Sequence, residues 1–126
     1  MTASDRAREL VQAAATAADD KQGQDVVALD VSEMLPFTDA FLIVSGRNER
    51  QVQAIADAVE EALLELDPAV KALRREGKGD SRWVLLDFGD LVVHVFHDEE
   101  RTYYSLERLW RDCPVIPVPL PAPKVE

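Results

Sequence analysis

Two pairs of ionisable side chains have a spacing that could support metal chemistry. Asp87 and Asp90 are three residues apart, and a nucleotidyltransferase holds its metal ions between two carboxylates on one strand face. A spacing of three places the pair on opposite sides of a strand, which disfavours a shared metal. His94 and His97 have the same spacing, with no cysteine or third histidine nearby to complete a zinc site. We therefore expect no metal centre.

Phosphate binding and nucleophilic catalysis are equally poorly supported. Residues 45–48 (SGRN) join a predicted strand to a predicted helix, where main-chain N–H groups can bind phosphate. They lack the repeated glycines of a dinucleotide loop and the Gly-Lys-Ser of a P-loop. No serine stands in a G-x-S-x-G motif, and Cys113 has no neighbouring histidine to activate it. We expect no cofactor and no catalytic residue, and keep a nucleotidyltransferase-like nucleotide-binding enzyme as the alternative.

The most informative segment is a predicted hairpin. Two apolar runs, residues 83–88 and 91–96, are joined by Gly89-Asp90, a pair that suits a type II′ turn with glycine first. Side-chain alternation then defines two faces. The apolar face, predicted to pack on the core, comprises Val84, Leu86, Phe88, Leu91, Val93 and Val95. The mixed face comprises Trp83, Leu85, Asp87, Val92, His94 and Phe96.

The mixed face allows two interpretations. In one, a helix of the same chain covers it, and local hydrogen bonds satisfy Asp87 or His94. In the other it binds a partner, because an aromatic anchor beside a charge is common at protein interfaces. We place the candidate protein-binding site on Trp83 and Asp87, with Phe88 and Asp90 at the turn end. Phe88 is the weakest member, because its parity directs it toward the core.

The other predicted elements form a scaffold around this hairpin. In chain order they are a helix capped by Ser4 that runs to about Lys21, strands over residues 25–31 and 40–45, a helix capped by Asn48 over residues 49–66, an edge strand or helical turn at 70–75, the hairpin, and a helix over about 98–111. This order predicts an α/β (α+β) fold with a mixed β-sheet of about five strands flanked by helices. A right-handed crossover follows if the second and third strands are parallel.

Composition limits the setting in which this fold works. The 126 residues are 47% apolar and carry a net charge of −10, which indicates one globular domain that is repelled by phosphate backbones and is suited to a basic partner. The charged first 20 residues argue against a signal peptide, and no apolar run approaches the ~20 residues of a membrane span. With a single cysteine, we expect a cytoplasmic protein without a membrane partner.

The C-terminal segment differs in composition from the rest. It contains five prolines, at positions 114, 117, 119, 121 and 123. We predict that residues 1–112 form a single domain, and that residues 113–126 form an extended or disordered tail outside the core.

Three segments in chain order resemble successive motifs of the Iojap-like ribosomal silencing factors. They are residues 38–46 (TDAFLIVSG), 83–96 (WVLLDFGDLVVHVF) and 104–110 (YSLERLW). The resemblance runs from about residue 25 to 112 and leaves out the Pro-rich tail. Ala40 is a small departure, because the family often has an aromatic residue there.

The resemblance implies a non-enzymatic factor that binds the large ribosomal subunit through its ribosomal protein number fourteen. The factor would block association with the small subunit, repress translation under nutrient limitation, and take part in late subunit assembly. The resemblance also implies a nucleotidyltransferase-like topology without the catalytic site, and a homodimer when the factor is free. A basic stretch over residues 71–82 predicts a minor contact with ribosomal RNA.

Overall fold

The structure, a computed structural model, describes residues 4–77, 82–99 and 112–120. These parts contain α1 (Asp5–Asp20), β1 (Gln24–Asp30), β2 (Ala40–Gly46), α2 (Glu49–Leu64), β3 (Arg74–Glu76), β4 (Trp83–Asp87) and β5 (Leu91–His97). Residues 100–111 of the third predicted helix, which include the family motif at 104–110, lie outside the described residues. Neither described helix could span a bilayer, since each has only 16 residues.

Both helices begin at the predicted caps. The Ser4 hydroxyl accepts a hydrogen bond from the Ala7 N–H at 3.0 Å, and the Asn48 side chain accepts one from the Gln51 N–H at 2.8 Å. Each bond satisfies a first-turn donor that has no partner within the helix. α2 ends at Leu64, two residues before its predicted end. The predictions of the first two helices are confirmed to within two residues.

The strands form one mixed sheet in the order β1-β2-β5-β4-β3. The prediction of a five-stranded mixed sheet is confirmed. The parallel pair is β2 with β5, in register from Ala40 beside Leu91 to Gly46 beside His97, and the other neighbours are antiparallel. The second and third strands are not neighbours, because β3 has only three residues and lies at the far edge. The central positions go to β2 and β5, the two strands buried along their whole length.

The hairpin has the predicted register. Trp83 lies opposite Phe96, and the pairing continues to Asp87 opposite Val92. Gly89 has a φ of +89°, a backbone conformation that is open to glycine and costly for other residues. The turn chemistry and the alternation of side chains were therefore sufficient to position this part of the sheet.

The sheet carries an apolar cluster on each face. Both helices pack on one face, and this core includes the predicted apolar side of the hairpin. The second cluster belongs to the opposite face. Its buried residues come from β1 and the residue after it, from β2 and β5, and from the C-terminal segment: Leu29, Val31, Phe41, Ile43, Val92, Phe96 and Cys113, with Trp83 and Leu85 packed against them. The mixed face of the hairpin is thus partly buried.

The first part of the Pro-rich segment runs along β1. The Asp30 N–H donates to the Pro114 carbonyl at 2.8 Å, and the Ile116 N–H donates to the Ala28 carbonyl at 2.9 Å. These bonds use main-chain groups that would otherwise be unpaired at the edge of the sheet.

The expectation that the Pro-rich segment lies outside the core is wrong for its described part. Ile116 is only 4% exposed and belongs to the helix-side core, and Val118 and Leu120 pack against that core. These three apolar residues alternate with prolines. The pattern suits an extended segment that presents every second side chain inward and needs few N–H donors.

Candidate protein-binding site

The four predicted binding residues do not form one compact group. Trp83 and Asp87 share a face of β4, but they stand at its two ends, about 13 Å apart at ~3.3 Å per residue. Phe88 and Asp90 lie in or beside the turn that follows Asp87. The site therefore has a tryptophan end and a turn end.

At the tryptophan end, Trp83 is half-buried in an aromatic group. Its ring centroid lies 4.7 Å from that of Phe96, and its indole Nε1 donates to His94 Nδ1 at 3.4 Å. Trp83 is therefore neither a free surface anchor nor a fully buried core residue. Removing its ring must affect packing as well as any contact with a partner.

His94 is part of the same aromatic group. Its ring is 6% exposed and meets Phe41 edge-on at 4.9 Å between centroids. Burial lowers the pKa of His94 to about 4, so the ring is neutral at physiological pH. With Nδ1 accepting from Trp83, the proton is assigned to Nε2, which has no hydrogen-bond partner among the described residues. His94 is a packing residue here.

At the turn end, Asp87 supports the turn itself. One carboxylate oxygen accepts from the Gly89 N–H at 2.9 Å, and the other lies 4.0 Å from an Arg74 guanidinium nitrogen. Both partners hold the carboxylate in place, although the exposed ion pair adds little stability. Asp87 remains partly exposed, so the same group can also face a partner.

Phe88 and Asp90 point in different directions. Phe88 is 6% exposed in the helix-side core, so it presents almost no surface to a partner and supports the turn from beneath. Asp90 is exposed, and its main-chain carbonyl accepts from the N–H groups of Asp39 and Ala40, both at 3.1 Å. Asp90 is thus fixed against the start of β2 while its carboxylate faces solvent.

The Thr38-Asp39 pair serves the fold. The Asp39 carboxylate accepts from the Ser4 N–H at 2.9 Å, which ties the start of α1 to the sheet. Thr38 is buried, and the Asp39 carbonyl accepts from the Val31 N–H at 2.9 Å. These contacts, all made by Asp39, join the start of α1 and the residue after β1 to the start of β2, whereas the buried Thr38 hydroxyl has no hydrogen-bond partner among the described residues.

Gly46, at the end of β2, also serves the fold. A Cβ at this position would lie 3.0 Å from the Val52 side chain and 3.1 Å from its main-chain nitrogen. Close approach to α2, and not an unusual backbone conformation, requires the glycine.

The other candidates for chemistry do not form a reactive site. Cys113 is buried, and burial raises the pKa of its thiol, with Asp112 and Asp30 acting in the same direction. His97, Asp98 and Glu99 could offer ligand atoms within 4.8 Å of one another, but His97 Nδ1 already accepts from the Glu99 N–H at 3.2 Å. The expected absence of metal and cofactor stays a prediction.

The described arginines of the basic stretch all lie near carboxylates of the same chain. Arg75 forms ion pairs with Asp57 and Glu60, and Arg82 lies 3.7 Å from Glu49 and 3.6 Å from Glu99. Arg74, as noted, lies near a carboxylate at the turn. These pairs reduce the positive charge that the arginines offer to a phosphate group.

Sequence reasoning missed two exposed apolar residues near the turn. Phe37, in the loop before β2, is 73% exposed, and Leu73, just before β3, is 74% exposed. Their exposure depends on tertiary neighbours, and neither belongs to a periodic pattern. A large apolar residue in a short loop was the only available signal.

Comparison with known proteins assigns the family. The family model described as "Ribosomal silencing factor during starvation" matches residues 4–126. A ribosomal silencing factor from Halalkalibacterium halodurans is 48% identical over 109 residues, which cover 86% of this chain and 92% of that protein. The Bacillus subtilis factor is 45% identical over 108 residues, covering 86% and 90%. The chain belongs to the ribosomal silencing factor family, which confirms the resemblance. The match includes the Pro-rich segment, so the expectation that the segment falls outside the family was wrong.

Solved structures and a more distant relative agree with this assignment. A crystal structure from Bacillus halodurans is 44% identical with a TM-score of 0.75, covering 87% of this chain and 98% of that chain. One from Chromobacterium violaceum is 35% identical with a TM-score of 0.77, covering 82% and 84%. A mouse protein named "Mitochondrial assembly of ribosomal large subunit protein 1" is 33% identical over 94 residues, covering 71% of this chain and 40% of that protein.

Proposed function

We propose that this protein is a non-enzymatic factor that binds the large ribosomal subunit through ribosomal protein number fourteen. Bound there, it blocks association with the small subunit and so represses translation under nutrient limitation. The observation that carries the proposal is the family match over residues 4–126. The name of the mouse relative, which refers to assembly of the ribosomal large subunit, supports the choice of subunit.

The charge of the protein supports a basic protein partner. The chain carries a net charge of −10, and Asp87 and Asp90 present carboxylates at the turn end of the proposed site. Ribosomal proteins are generally basic, so complementary potentials would favour encounter and orientation. The internally paired arginines leave ribosomal RNA a minor partner.

Steric blockade requires an interface and no reacting group. A patch of standard size, ~1,200–2,000 Å² in total, is sufficient for a specific complex. The two carboxylates of the nucleotidyltransferase alternative are not arranged for a shared metal, because Asp87 holds the Gly89 N–H while Asp90 lies in the turn. We propose that the free protein is a cytoplasmic homodimer and that the ribosome-bound form is a monomer.

The test is sedimentation of the purified protein with isolated large subunits, small subunits and joined ribosomes. We expect recovery with large subunits only, and a loss of joined ribosomes when both subunits and the protein are mixed. Equal recovery with small subunits would contradict the proposal. Nucleotide transfer with magnesium that is abolished in Asp87→Asn would favour the enzyme instead.

A further inference from the structure

Exposed apolar side chains are concentrated at one end of the sheet. Among the described residues, four of the five exposed large hydrophobic side chains belong to segments beside the end where β2 and β5 begin. Phe37 and Leu73 come from the segments next to the hairpin turn, whereas Met34 and Val115 lie beside β1, at the opposite edge of the sheet from β3. The fifth, Leu64, is on α2. Most exposed large apolar groups on a monomer are scattered singly, so a concentration of this kind points to an interaction site.

Two of these side chains flank the hairpin turn. The Leu73 N–H donates to the Asp87 carbonyl at 2.7 Å, and Leu73 Cδ1 lies 3.7 Å from the position of a Cβ on Gly89. Leu73 therefore lies against the turn. On the other side, the Asp90 carbonyl accepts from the Asp39 N–H, which fixes the loop two residues after Phe37.

We define the turn-end patch as Phe37, Leu73 and Asp90. Main-chain hydrogen bonds hold Leu73 and Asp90 directly and hold Asp39, two residues after Phe37, while the two apolar side chains are about three-quarters exposed. A surface whose backbone is already ordered loses less conformational entropy when it binds. The patch thus combines apolar anchors, a charge and a fixed frame, the usual components of a binding centre.

We propose that Phe37 and Leu73 are the apolar anchors of the interface with the basic large-subunit protein, and that Asp90 supplies its central negative charge. This inference rests on the proposed function and deepens it by moving the centre of the interface from Trp83 to the turn. The partner surface would present an arginine or lysine between apolar groups, so that the cation meets Asp90 while the anchors are desolvated.

Charge favours this occupant over a second copy of the chain. Asp87 and Asp39 are engaged locally, whereas the Asp90 carboxylate has no ion pair among the described residues. A two-fold contact centred on the turn would bring two Asp90 carboxylates together, in two chains that each carry −10. The exposed Lys71, two residues before Leu73, is one nearby cation that would partly offset this repulsion.

The test compares Phe37→Ser, Leu73→Ser and the double variant with wild type in titrations against isolated large subunits. Leu64→Ser is the matched control, because it removes an exposed leucine from α2. We expect each patch variant to bind at least about tenfold more weakly and the double variant about a hundredfold more weakly. The control should bind within twofold of wild type, and all melting temperatures should change little because the side chains are exposed.

A second arm tests the charge without removing an anchor. Asp90→Asn should slow association and reduce its dependence on salt, because a charge that steers encounter has been lost. This variant keeps the main-chain carbonyl that fixes the turn, so it also serves if a serine variant fails to fold.

The outcomes separate this inference from the proposed function. If wild type does not bind large subunits, both fail. If wild type binds and the patch variants bind within twofold of it, or the Leu64→Ser control weakens equally, only the inference is overturned. If Phe37→Ser and Leu73→Ser abolish self-association in sedimentation velocity but leave subunit binding unchanged, the patch is a contact between copies of the chain and the inference is again overturned.

Discussion

The two ends of the β4–β5 hairpin differ in how far their side chains are packed. At the tryptophan end, Trp83 packs on Phe96 and donates to a buried, neutral His94. At the turn end, main-chain hydrogen bonds fix the backbone, and charged or apolar side chains stay exposed around Gly89. One hairpin thus supports the second apolar cluster at one end and, at the other, carries the exposed groups that we propose for recognition. Variants at the first end should act mainly on stability, and substitutions of the exposed side chains at the second should act mainly on binding.

The largest expected effect comes from removing the indole at the tryptophan end. Trp83→Ala should lower the free energy of unfolding by about 3 kcal/mol, at the lower end of the range for core aromatics because the ring is half-buried. Chemical denaturation followed by circular dichroism measures this loss. Trp83→Phe is the control, since it keeps an aromatic ring against Phe96 and loses only the N–H donor.

A binding defect without a loss of stability would remove the contrast between the two ends. If Trp83→Ala unfolds at nearly the wild-type denaturant concentration but binds large subunits about thirtyfold more weakly, the indole is an interface anchor worth about 2 kcal/mol. The centre of the interface would then return to the mixed face of the hairpin.

Lowering the pH should reduce the free energy of unfolding by nearly as much, through His94 at the tryptophan end. The pKa of His94 is about 4 in the fold, against 6.5 in the unfolded chain. Between these values the unfolded chain binds more protons, so stability is full above about pH 6.5 and falls as the pH is lowered toward 4. The difference between the two pKa values corresponds to a loss of about 3 kcal/mol in the free energy of unfolding at a pH below both values.

The measurement is the free energy of unfolding from pH 7.5 to pH 4 for wild type and His94→Gln. Glutamine does not titrate, so the difference between the two curves isolates the histidine from the carboxylates that titrate in the same range. Parallel curves would show that the ring is already protonated, or solvated, in the folded protein.

Local patterns predicted the parts of the fold that depend on neighbours in sequence. The caps at Ser4 and Asn48 and the register around Gly89 followed from turn and cap chemistry. The pairing of β2 with β5 joins residues about fifty positions apart, and β3 has only three residues, so no local period identifies either arrangement.

The candidate site was predicted only in part, for a related reason. Alternation placed Trp83 and Asp87 on one face and directed Phe88 inward, as the structure has them. It could not give the degree of burial of Trp83, which depends on the rings packed around it, or the exposure of Phe37 and Leu73. In the Pro-rich segment, the prolines suggested a tail, whereas the alternating Ile116, Val118 and Leu120 were the better signal.

The smallest expected effect sharpens the comparison at the turn end. Gly89→Ala should lower the free energy of unfolding by about 1–2 kcal/mol, because a φ of +89° is energetically costly for a residue that has a Cβ. Crowding is not the cause, since the nearest atom to the added Cβ is Leu73 Cδ1 at 3.7 Å. Asp90→Ala is the stability control: it keeps the carbonyl that binds the start of β2 and should change stability by less than about 0.5 kcal/mol.

If the geometry of the turn holds the turn-end patch in place for binding, Gly89→Ala must also weaken large-subunit binding by more than Trp83→Phe does. Equal binding by these two variants would mean that the turn end contributes to the fold alone.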